Sequence, residues 1–354
     1  MRIGFTKLLI FFRPLLWPLA FLYGLVTFIR NWLYDHGFFR IYEPPVFSIG
    51  IGNLAVGGTG KTPMTAYLIE LFHDQQVAVI SRGYGRKSKG YREVKPGDSP
   101  DTVGDEIKML FDRYQGTTRF FVAEDRVHGV RKILEQFPEV EVILFDDVFQ
   151  HRAVKPYLQL VLSACQKTFD KDFLMPLGRL RESKKGIKRA QALIVTKCSD
   201  LADFENARGE LVPWLSQEQV ILGSFNALSD RVNINGESLK LKSNANVLAG
   251  LADNHSFLKS LSGAYNIKEL HFYPDHFAYS IKEVKELLQK DDLPLITTEK
   301  DFVKIKALGL SDQQLARFFV ISQSVCFYNP DQLLSFISNA FKRFQKEKGS
   351  VING

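Results

Sequence analysis

Cysteine is scarce in this chain. Only three cysteines occur among 354 residues, at positions 165, 198 and 326, and no two of them form a C-x-x-C pair. An odd and scattered set fits reduced thiols in a cytosol better than a disulfide framework or a cysteine-based zinc site. We therefore expect reduced thiols that pack as small, buried apolar side chains.

Two further features are missing. No segment recurs at the periods of solenoid proteins, which excludes a repeat architecture. No RNA- or DNA-binding fingerprint accompanies the basic residues, so the net charge of +7 indicates nucleotides or phospholipid headgroups rather than nucleic acid as partners. With 45% hydrophobic and 24% charged residues, the composition is typical of a globular chain large enough for two domains.

The chain also lacks a long apolar run, although its first forty residues come close. The stretch from Leu15 to Ile29 carries no charge but is shorter than the about 20 apolar residues of a spanning helix, and Pro18 weakens a continuous helix. Aromatic residues and arginines follow it in "RNWLYDHGFFRIY", and such residues settle at headgroup depth. Residues 1–40 therefore favour an interfacial or re-entrant membrane anchor, with a spanning helix and a buried core helix as alternatives.

Beyond residue 40, short apolar runs alternate with helix-like stretches. The helix-like stretches of the first half are Thr62–His73, Asp105–Tyr114 and Arg126–Phe137. The apolar runs are "VFSIG" (46–50), "VAVIS" (77–81), "RFFVA" (119–123), "EVILF" (141–145), "LQLVLS" (158–163) and "ALIVT" (192–196). Such alternation predicts a parallel α/β sheet that binds its ligands at the carboxyl ends of the strands.

A second alternation follows the polar stretch 225–244, which we interpret as a linker or a small hairpin. Its apolar runs are "NVLAG", "NIKELHF", "PLITT" and "RFFVIS", and a last helix is predicted from Asp331 to about Lys346. Apolar residues at helical spacing predict that this helix docks on the core, with a second membrane contact as the alternative. The predicted fold is thus a parallel α/β sheet domain (41–224), a smaller α/β domain (245–354) and an N-terminal membrane-associating helix (1–40).

A glycine-rich loop joins the first predicted strand to the first helix. The segment "AVGGTGKT" matches the phosphate-binding pattern G-x-x-x-x-G-K-[ST], with Ala55 at the first position. Glycines let backbone N–H groups turn towards phosphate oxygens, and the following helix adds its positive end. The residues predicted to bind ATP are Gly57, Gly58, Thr59, Gly60, Lys61 and Thr62. Lys61 would reach the outer phosphates and Thr62 a bound Mg²⁺. Residues 41–224 are therefore predicted to form a P-loop NTPase-type parallel sheet domain.

Carboxylates at strand and helix ends supply the other chemistry of a kinase. Asp146 and Asp147 follow "EVILF" at the position where a P-loop protein places its metal-binding acid. Glu182 in "PLGRLRES" is a weaker third acid. Asp105 in "VGDE" is a candidate base for the attacking hydroxyl, with helix N-capping as its structural alternative. His276, between aromatic residues in "FYPDHFAYS", is a second candidate.

A different function remains open on these motifs. The segment "TKCSD" (196–200) superficially resembles the [NT]-K-x-D guanine reader of GTPases and follows a predicted strand. The alternative to a kinase is therefore a membrane-tethered P-loop NTPase switch that acts on a protein partner.

The motifs together resemble a known family. The segments "GNLAVGGTGKTP", "SRGYGRKSKG", "VGDE", "VAEDR", "DDVFQH", "PLGRLRE", "DHFAY" and "TTEKDFVK" occur in this order over residues from about 45 to 305. This series resembles the tetraacyldisaccharide 4′-kinases of lipid A biosynthesis. The resemblance implies transfer of the ATP γ-phosphate, with Mg²⁺, to the 4′-hydroxyl of a tetraacylated glucosamine disaccharide 1-phosphate, which gives lipid IVA.

The resemblance also implies roles for single residues. Asp105 matches the base that deprotonates the 4′-hydroxyl, and His276 the histidine that pairs with it. The metal-associated positions are Thr62, Asp146, Asp147 and Glu182, and the substrate-region positions are Arg82, Tyr84 and Arg126. The chain departs from the family at Val148, where glycine is usual, and at "GLADNHSF" (250–257).

A lipid acceptor explains why a phosphate-binding loop follows the apolar N-terminal segment, residues 1–40. Its sugar is accessible only at the membrane surface, so we expect the protein at the cytoplasmic face of the inner membrane. Two basic clusters, "SRGYGRKSKGYR" (81–92) and "GRLRESKKGIKR" (178–189), would meet anionic headgroups or the substrate 1-phosphate, with solvated loops as the alternative. No obligate protein partner is predicted.

Overall fold

The computed structural model describes residues 16–228, 232–251, 257–258, 261, 263–275 and 277–352. Its longer helices are α1 (Trp17–Asp35), α2 (Lys61–Leu71), α3 (Asp105–Tyr114), α4 (Arg126–Gln136), α5 (Leu201–Leu211), α6 (Ile281–Lys290), α7 (Glu299–Lys306) and α8 (Pro330–Ile352). One-turn helices span Pro100–Val103 and Asp312–Leu315.

The strands follow the same mixed order. They are β1 (Phe47–Asn53), β2 (Val77–Ser81), β3 (Arg92–Glu93), β4 (Thr118–Val122), β5 (Val142–Asp146), β6 (Leu158–Ala164), β7 (Ala192–Thr196), β8 (Val220–Leu228), β9 (Asn244–Gly250), β10 (Asn266–Tyr273), β11 (Leu295–Thr298), β12 (Phe318–Ile321) and β13 (Gln323–Phe327). The predicted mixed α/β fold with a mainly parallel sheet is confirmed.

The chain forms two compact units. Unit 1 comprises Met1–Ile80, Arg126–Asn226 and Val325–Gly354, and unit 2 comprises Ser81–Asp125 and Ala227–Ser324. Both units are therefore discontinuous in sequence, whereas the predicted domains, 41–224 and 245–354, are contiguous. The predicted domain division stays a prediction.

Unit 1 is built on strands in the order β13-β8-β7-β6-β1-β5-β2. β1 pairs in parallel with β5 on one side and β6 on the other, and β7 continues the parallel pairing to β8. Every residue of β1, β5 and β7 is buried. Strands buried on both faces need continuous apolar runs rather than alternation, which is the pattern that the sequence shows.

The last helix docks on unit 1, as its spacing predicts. Leu333, Ile337 and Ala340 are buried, and the Phe341 and Phe344 rings lie 4.9 and 5.6 Å from the Phe47 ring. These contacts place the C-terminal residues of the chain beside its first strand.

Unit 2 contains a parallel sheet in the order β10-β9-β11-β12 and the antiparallel pair β3–β4. Within the polar stretch 225–244, β8 continues to Leu228, and Val232 then forms an antiparallel bridge with Ser238. A turn with Gly236 at φ 76° lies between them. The described part of this stretch thus contains a small hairpin.

Helix α1 presents an apolar surface. Pro18 lies in its first turn, where a missing N–H removes no helical hydrogen bond, so this proline does not interrupt the helix. Its exposed apolar set is Trp17, Leu19, Phe21, Leu22, Leu25, Val26, Phe28, Ile29 and Trp32. None of the helices in the described ranges is both long enough and apolar enough to cross a bilayer.

Candidate active site

The glycine-rich loop leads from β1 into α2 at the carboxyl edge of the unit 1 sheet. Gly57 and Gly60 have φ values of 117° and 87°, which side chains with a Cβ rarely adopt. Asn53 Nδ2 donates to Thr59 Oγ1 at 2.8 Å, and Val56 N donates to Arg179 O at 2.8 Å. These bonds fix the loop to the last residue of β1 and to Arg179, and Lys61 begins α2.

Lys61 faces an acid at the end of the neighbouring strand. Its Nζ lies 3.8 Å from Asp147 Oδ1, and Arg181 Nη1 donates to both Asp147 oxygens at 2.9 Å. Burial alone raises the pKa of Asp147, but the charges of Lys61 and Arg181 outweigh burial and hold this pKa below its usual value. Asp147 is thus ionised between two cations.

The turn after β5 contains Val148, the position at which the sequence departs from the pattern expected of the family. Asp147, one residue earlier, takes the left-handed conformation with φ 52°. Val148 is buried, its N–H donates to Ile51 O at 3.2 Å, and its Cγ1 lies 2.8 Å from where Gly50 would carry a Cβ. The larger side chain therefore fills space that a glycine in β1 leaves open.

Asp146 and Thr62 are both buried next to this pair. Asp146 ends β5 and is in register with Ile51 of β1, and Thr62 is the second residue of α2. The described residues contain no group of three or more His, Cys, Asp or Glu side chains that could hold a metal ion by themselves.

Glu182 occupies a buried position in a different network. Its oxygens accept from Arg189 at 2.8 and 2.9 Å, from Asn31 at 2.9 Å and from Gln150 at 3.0 Å. Tyr23 of α1 also donates to Arg181 O at 2.7 Å. The predicted metal role of Glu182 stays a prediction, while these contacts show that Glu182 fastens α1 beside the Arg181–Asp147 pair.

In unit 2, Asp105 is the first residue of α3. Gly104 (φ 99°) is the N-cap, so the N-capping alternative for Asp105 is wrong. The Asp105 side chain accepts from the adjacent Glu106 N–H at 2.9 Å. Lys304 Nζ lies 3.5 Å and Lys300 Nζ 3.8 Å from Asp105 Oδ2. Two ammonium groups from α7 thus face one buried carboxylate.

The same two lysines contact other acids. Lys300 lies 2.9 Å from Asp275 and 3.5 Å from Glu106. Burial alone lowers the pKa of the Lys300 ammonium, but Glu106 and Asp105 outweigh burial and raise this pKa above its usual value. Lys304 lies 3.6 Å from Asp301, so each of the two lysines faces more than one carboxylate.

Asp301 anchors this part of α7. Its carboxylate is fully buried and accepts from Thr298 Oγ1 at 2.7 Å, Gly250 N at 2.9 Å and Tyr279 Oη at 3.0 Å. The motifs "TTEKDFVK" and "DHFAY" are therefore joined through one acid, which sets the position of Lys300 and Lys304.

The three residues predicted for the substrate region, Arg82, Tyr84 and Arg126, do not all belong to the same unit. Arg82 and Tyr84 belong to unit 2, where the backbone of Gly83 and Tyr84 passes close to Gly104, at 3.0–3.2 Å from where a Cβ would stand. Both side chains are exposed next to the start of α3. Arg126 belongs to unit 1, is buried, and contributes to the low pKa of Asp147. His276 lies outside the described residues.

The segment "TKCSD" does not form a guanine reader. Its aspartate stands one position later than in [NT]-K-x-D, and Asp200 Oδ1 caps α5 by accepting from Asp203 N at 2.8 Å. A carboxylate engaged at a helix N-cap has a structural explanation. Sequence reasoning missed Arg181, Lys300 and Lys304, although all three lie inside the quoted motifs.

Fold and site together define a class of protein. It is a mainly parallel α/β protein with a glycine-rich loop and charged side chains at the carboxyl ends of its strands. The family model for tetraacyldisaccharide-1-P 4′-kinase matches residues 12–342. The tetraacyldisaccharide 4′-kinase of Flavobacterium psychrophilum is 35% identical, over 97% of this chain and 99% of the relative. That of Bacteroides thetaiotaomicron is 36% identical over 86% of each chain.

A solved structure agrees with these relatives. The "apo" form of LpxK from Aquifex aeolicus in complex with ATP superimposes with a TM-score of 0.77 and 31% identity, over 93% of this chain and 99% of that one. The chain therefore belongs to the tetraacyldisaccharide 4′-kinase family, whose members are kinases.

Proposed function

We propose that this chain transfers the γ-phosphoryl group of ATP to the 4′-hydroxyl of a tetraacyldisaccharide 1-phosphate and so forms lipid IVA. The observation that carries the proposal is membership of the family over nearly the whole chain, with relatives of matching length. ATP as the donor is supported by the solved relative in complex with ATP.

The glycine-rich loop is the proposed phosphate-binding loop. Gly57 and Gly60 give the backbone the left-handed conformations with which successive N–H groups can surround an anion. The amino end of α2 adds its partial positive charge, and Lys61 at its first turn adds a full one. These groups would bind and orient the triphosphate.

The residues at the end of β5 fit Mg²⁺. Thr62, Asp146 and Asp147 offer hard oxygen ligands, and Mg²⁺ is usually held by one or two carboxylates plus phosphate oxygens and waters rather than by a full protein cage. Glu182 fits less well, because its fully buried carboxylate accepts four hydrogen bonds, from Arg189, Asn31 and Gln150. The ion would supply charge neutralisation on the phosphates. Arg181 keeps Asp147 ionised and oriented for this role.

Asp105 is the proposed base. The 4′-oxygen forms a bond to the γ-phosphorus while the bond from that phosphorus to the β–γ bridging oxygen breaks, and ADP leaves. The 4′-hydroxyl proton passes to the Asp105 carboxylate, which Lys304 faces at 3.5 Å and Lys300 at 3.8 Å. Arg82 and Tyr84, exposed next to α3, would bind the acceptor, and Arg126 would act from unit 1 through the charge around Asp147.

We propose that α1 brings the enzyme to the lipid. Its exposed apolar set is continued by the exposed Phe38 and Phe39 and by Phe173, whose ring lies 6.3 Å from that of Trp17. Apolar and aromatic side chains of this kind bury themselves at the boundary between headgroups and acyl chains. An ATP-dependent enzyme on such a surface would work at the cytoplasmic face of the inner membrane.

The transfer is tested with labelled ATP, Mg²⁺ and disaccharide 1-phosphate in mixed micelles. We expect the wild type to form the phosphorylated lipid, and Asp105→Asn and Lys61→Ala to lose at least about a hundredfold in turnover. Asp101→Asn is the matched control, since Asp101 is an exposed acid paired with exposed Lys87 in the same unit. A wild type that leaves the lipid unmodified would refute the proposed function.

Membrane binding is tested by flotation with vesicles that contain anionic lipid. Phe21 is 73% exposed, and burying such a side chain contributes about 1.5–3 kcal/mol, so we expect Phe21→Glu to weaken vesicle binding at least about tenfold. Leu201→Glu, at an exposed apolar position on α5, should bind as the wild type does. Equal binding of both variants would contradict the role of α1.

A further inference from the structure

The segment after β7 contacts the glycine-rich loop, although the proposed function gives it no role. Thr196, the last residue of β7, donates from Oγ1 to Thr59 O at 2.8 Å. The same side chain lies 3.9 Å from where Gly60 would carry a Cβ. The carboxyl end of β7 therefore supports the second half of the loop, and Lys197 is the next residue.

Lys197 has an unusual backbone conformation. Its φ is 59°, and the other non-glycine residues with positive φ in the described ranges are Asp147 and Lys242. A lysine pays steric strain in the left-handed region, and such strain persists where the surrounding structure imposes it, often at functional sites. Asp147 and Lys197 thus share this conformation at the carboxyl ends of two strands of the parallel sheet, β5 and β7.

The side chain of Lys197 reaches the loop itself. Its Nζ lies 3.6 Å from where Gly58 would carry a Cβ, and Gly58 is in the middle of the loop. With Lys61 at the loop's end, two ammonium groups flank the segment whose N–H groups would bind phosphate.

The local charges favour a second cation here. Lys61 and Arg181 both face Asp147, and Asp146 lies beside it, so the positive charge of the loop region is largely offset by carboxylates. A triphosphate brings several negative charges into the same place, which makes an additional ammonium group favourable.

We propose that Lys197 is a second ATP-binding lysine, whose ammonium group stabilises the triphosphate from the β7 side of the loop. This inference rests on the proposed binding of ATP by the glycine-rich loop and adds a residue that the phosphate-binding pattern does not contain. The strained conformation of Lys197 is then the consequence of aiming this side chain at the loop.

The test measures the Kd for ATP directly, by calorimetric titration of the full chain without lipid. We expect Lys197→Met to weaken ATP binding about tenfold, as expected for one charge-assisted contact. The remaining affinity should depend less on salt, because one charge pair no longer contributes. Lys155→Met is the matched control. Lys155 is an exposed lysine that precedes the amino end of β6, whereas the loop follows the carboxyl end of β1, and it pairs with Glu43. This variant should keep the wild-type Kd.

A second substitution separates binding from folding. Lys197→Gly removes the ammonium group and relieves the left-handed strain, so its melting temperature without ATP should equal or exceed that of the wild type while its Kd rises. If both variants kept the wild-type Kd within about twofold, with unchanged salt dependence, the proposal would be overturned. A wild type that binds ATP but leaves lipid unmodified would refute the proposed function. The effect of Lys197 on the Kd for ATP would still stand.

Discussion

At the scale of single residues, Asp147 links the loop to the rest of unit 1. It accepts from Arg181 and faces Lys61, and its pKa is lowered. A carboxylate with a lowered pKa stabilises the folded state above its unfolded pKa of about 3.9 and loses that contribution as the pH falls through the folded value. We expect Asp147→Asn to be about 1–2 kcal/mol less stable than the wild type at pH 7, because two cations lose their partner.

This difference should shrink as the pH is lowered below the unfolded pKa of about 3.9 and through the lower folded value, where the wild-type carboxylate becomes protonated. Urea unfolding across that range measures it. Asp74→Asn is the control, since Asp74 is exposed and pairs with exposed His73. A stability difference that stayed constant with pH would show that the ion pairs of Asp147 do not produce it.

Lys304 gives a kinetic prediction at the same scale. It lies 3.5 Å from Asp105, in a cluster that also contains Lys300, Glu106, Asp275 and Asp301. Removing one of two cations makes protonation of Asp105 easier. In Lys304→Met we therefore expect the acid limb of the kcat profile to move to higher pH, with an unchanged KM for ATP.

The profile is measured between about pH 5 and 9, the range in which catalytic carboxylates and histidines titrate. Lys306→Met, an exposed lysine in the last turn of the same helix, should keep the wild-type profile. A kcat that fell equally at every pH would show that Lys304 supports the structure without influencing the base.

Residues with a fixed local pattern could be predicted from the sequence. Lys61 and Thr62 follow glycines at a set spacing, and Asp147 follows a buried strand. Arg181 could not be predicted in the same way, because the acid that it faces, Asp147, lies 34 positions away along the chain. Lys300 and Lys304 could not be predicted either, because Asp105, which both face, lies in another segment of unit 2. The sequence singles out Lys197 only as part of "TKCSD", and Asp200 of this segment stands one position too late for the guanine-reader pattern.

At the scale of elements, periodicity predicts what burial enforces. Helix α3 has the predicted bounds, and β2 and β7 coincide with the runs "VAVIS" and "ALIVT". Strands β8 and β13 were not predicted, because "VILGSFNAL" and "QSVCF" mix polar and apolar residues in the manner of loops. Their pairing at the edge of the unit 1 sheet determines their structure, and no local signal encodes that pairing.

Helix α8 offers a matched pair of positions. Leu333 is 0% exposed and Leu334 is 38% exposed. We expect Leu333→Ala to destabilise the protein by about 2–5 kcal/mol because it leaves a cavity, and Leu334→Ala to change stability by less than about 0.5 kcal/mol. Urea unfolding of both variants gives the comparison. Equal effects would contradict the docking of α8 on unit 1.

At the scale of the whole molecule, segments that are far apart in the sequence pack together in one unit. Phe341 and Phe344 return to Phe47 of β1, and Arg113 of α3 lies 3.9 Å from Glu299 of α7. Such contacts join segments that composition places in different domains. A contiguous division is the natural reading of a polar stretch at 225–244, because sequence patterns report local structure and not which distant segments pack together.

The division into two units leads to a prediction of which segments bound ATP protects from hydrogen exchange. If the loop binds ATP as proposed, ATP with Mg²⁺ and no lipid should slow hydrogen exchange in unit 1 at the loop 53–62 and at the ends of β5 and β7, with little change in β9 to β12 of unit 2. A ligand that binds only the folded state stabilises it by about 2.7 kcal/mol at a hundredfold excess over Kd, which slows exchange that requires opening of the site. Exchange followed by mass spectrometry, with Lys61→Ala as the variant that should lose the effect, tests this. Protection confined to unit 2, or retained in Lys61→Ala, would place the ATP site elsewhere.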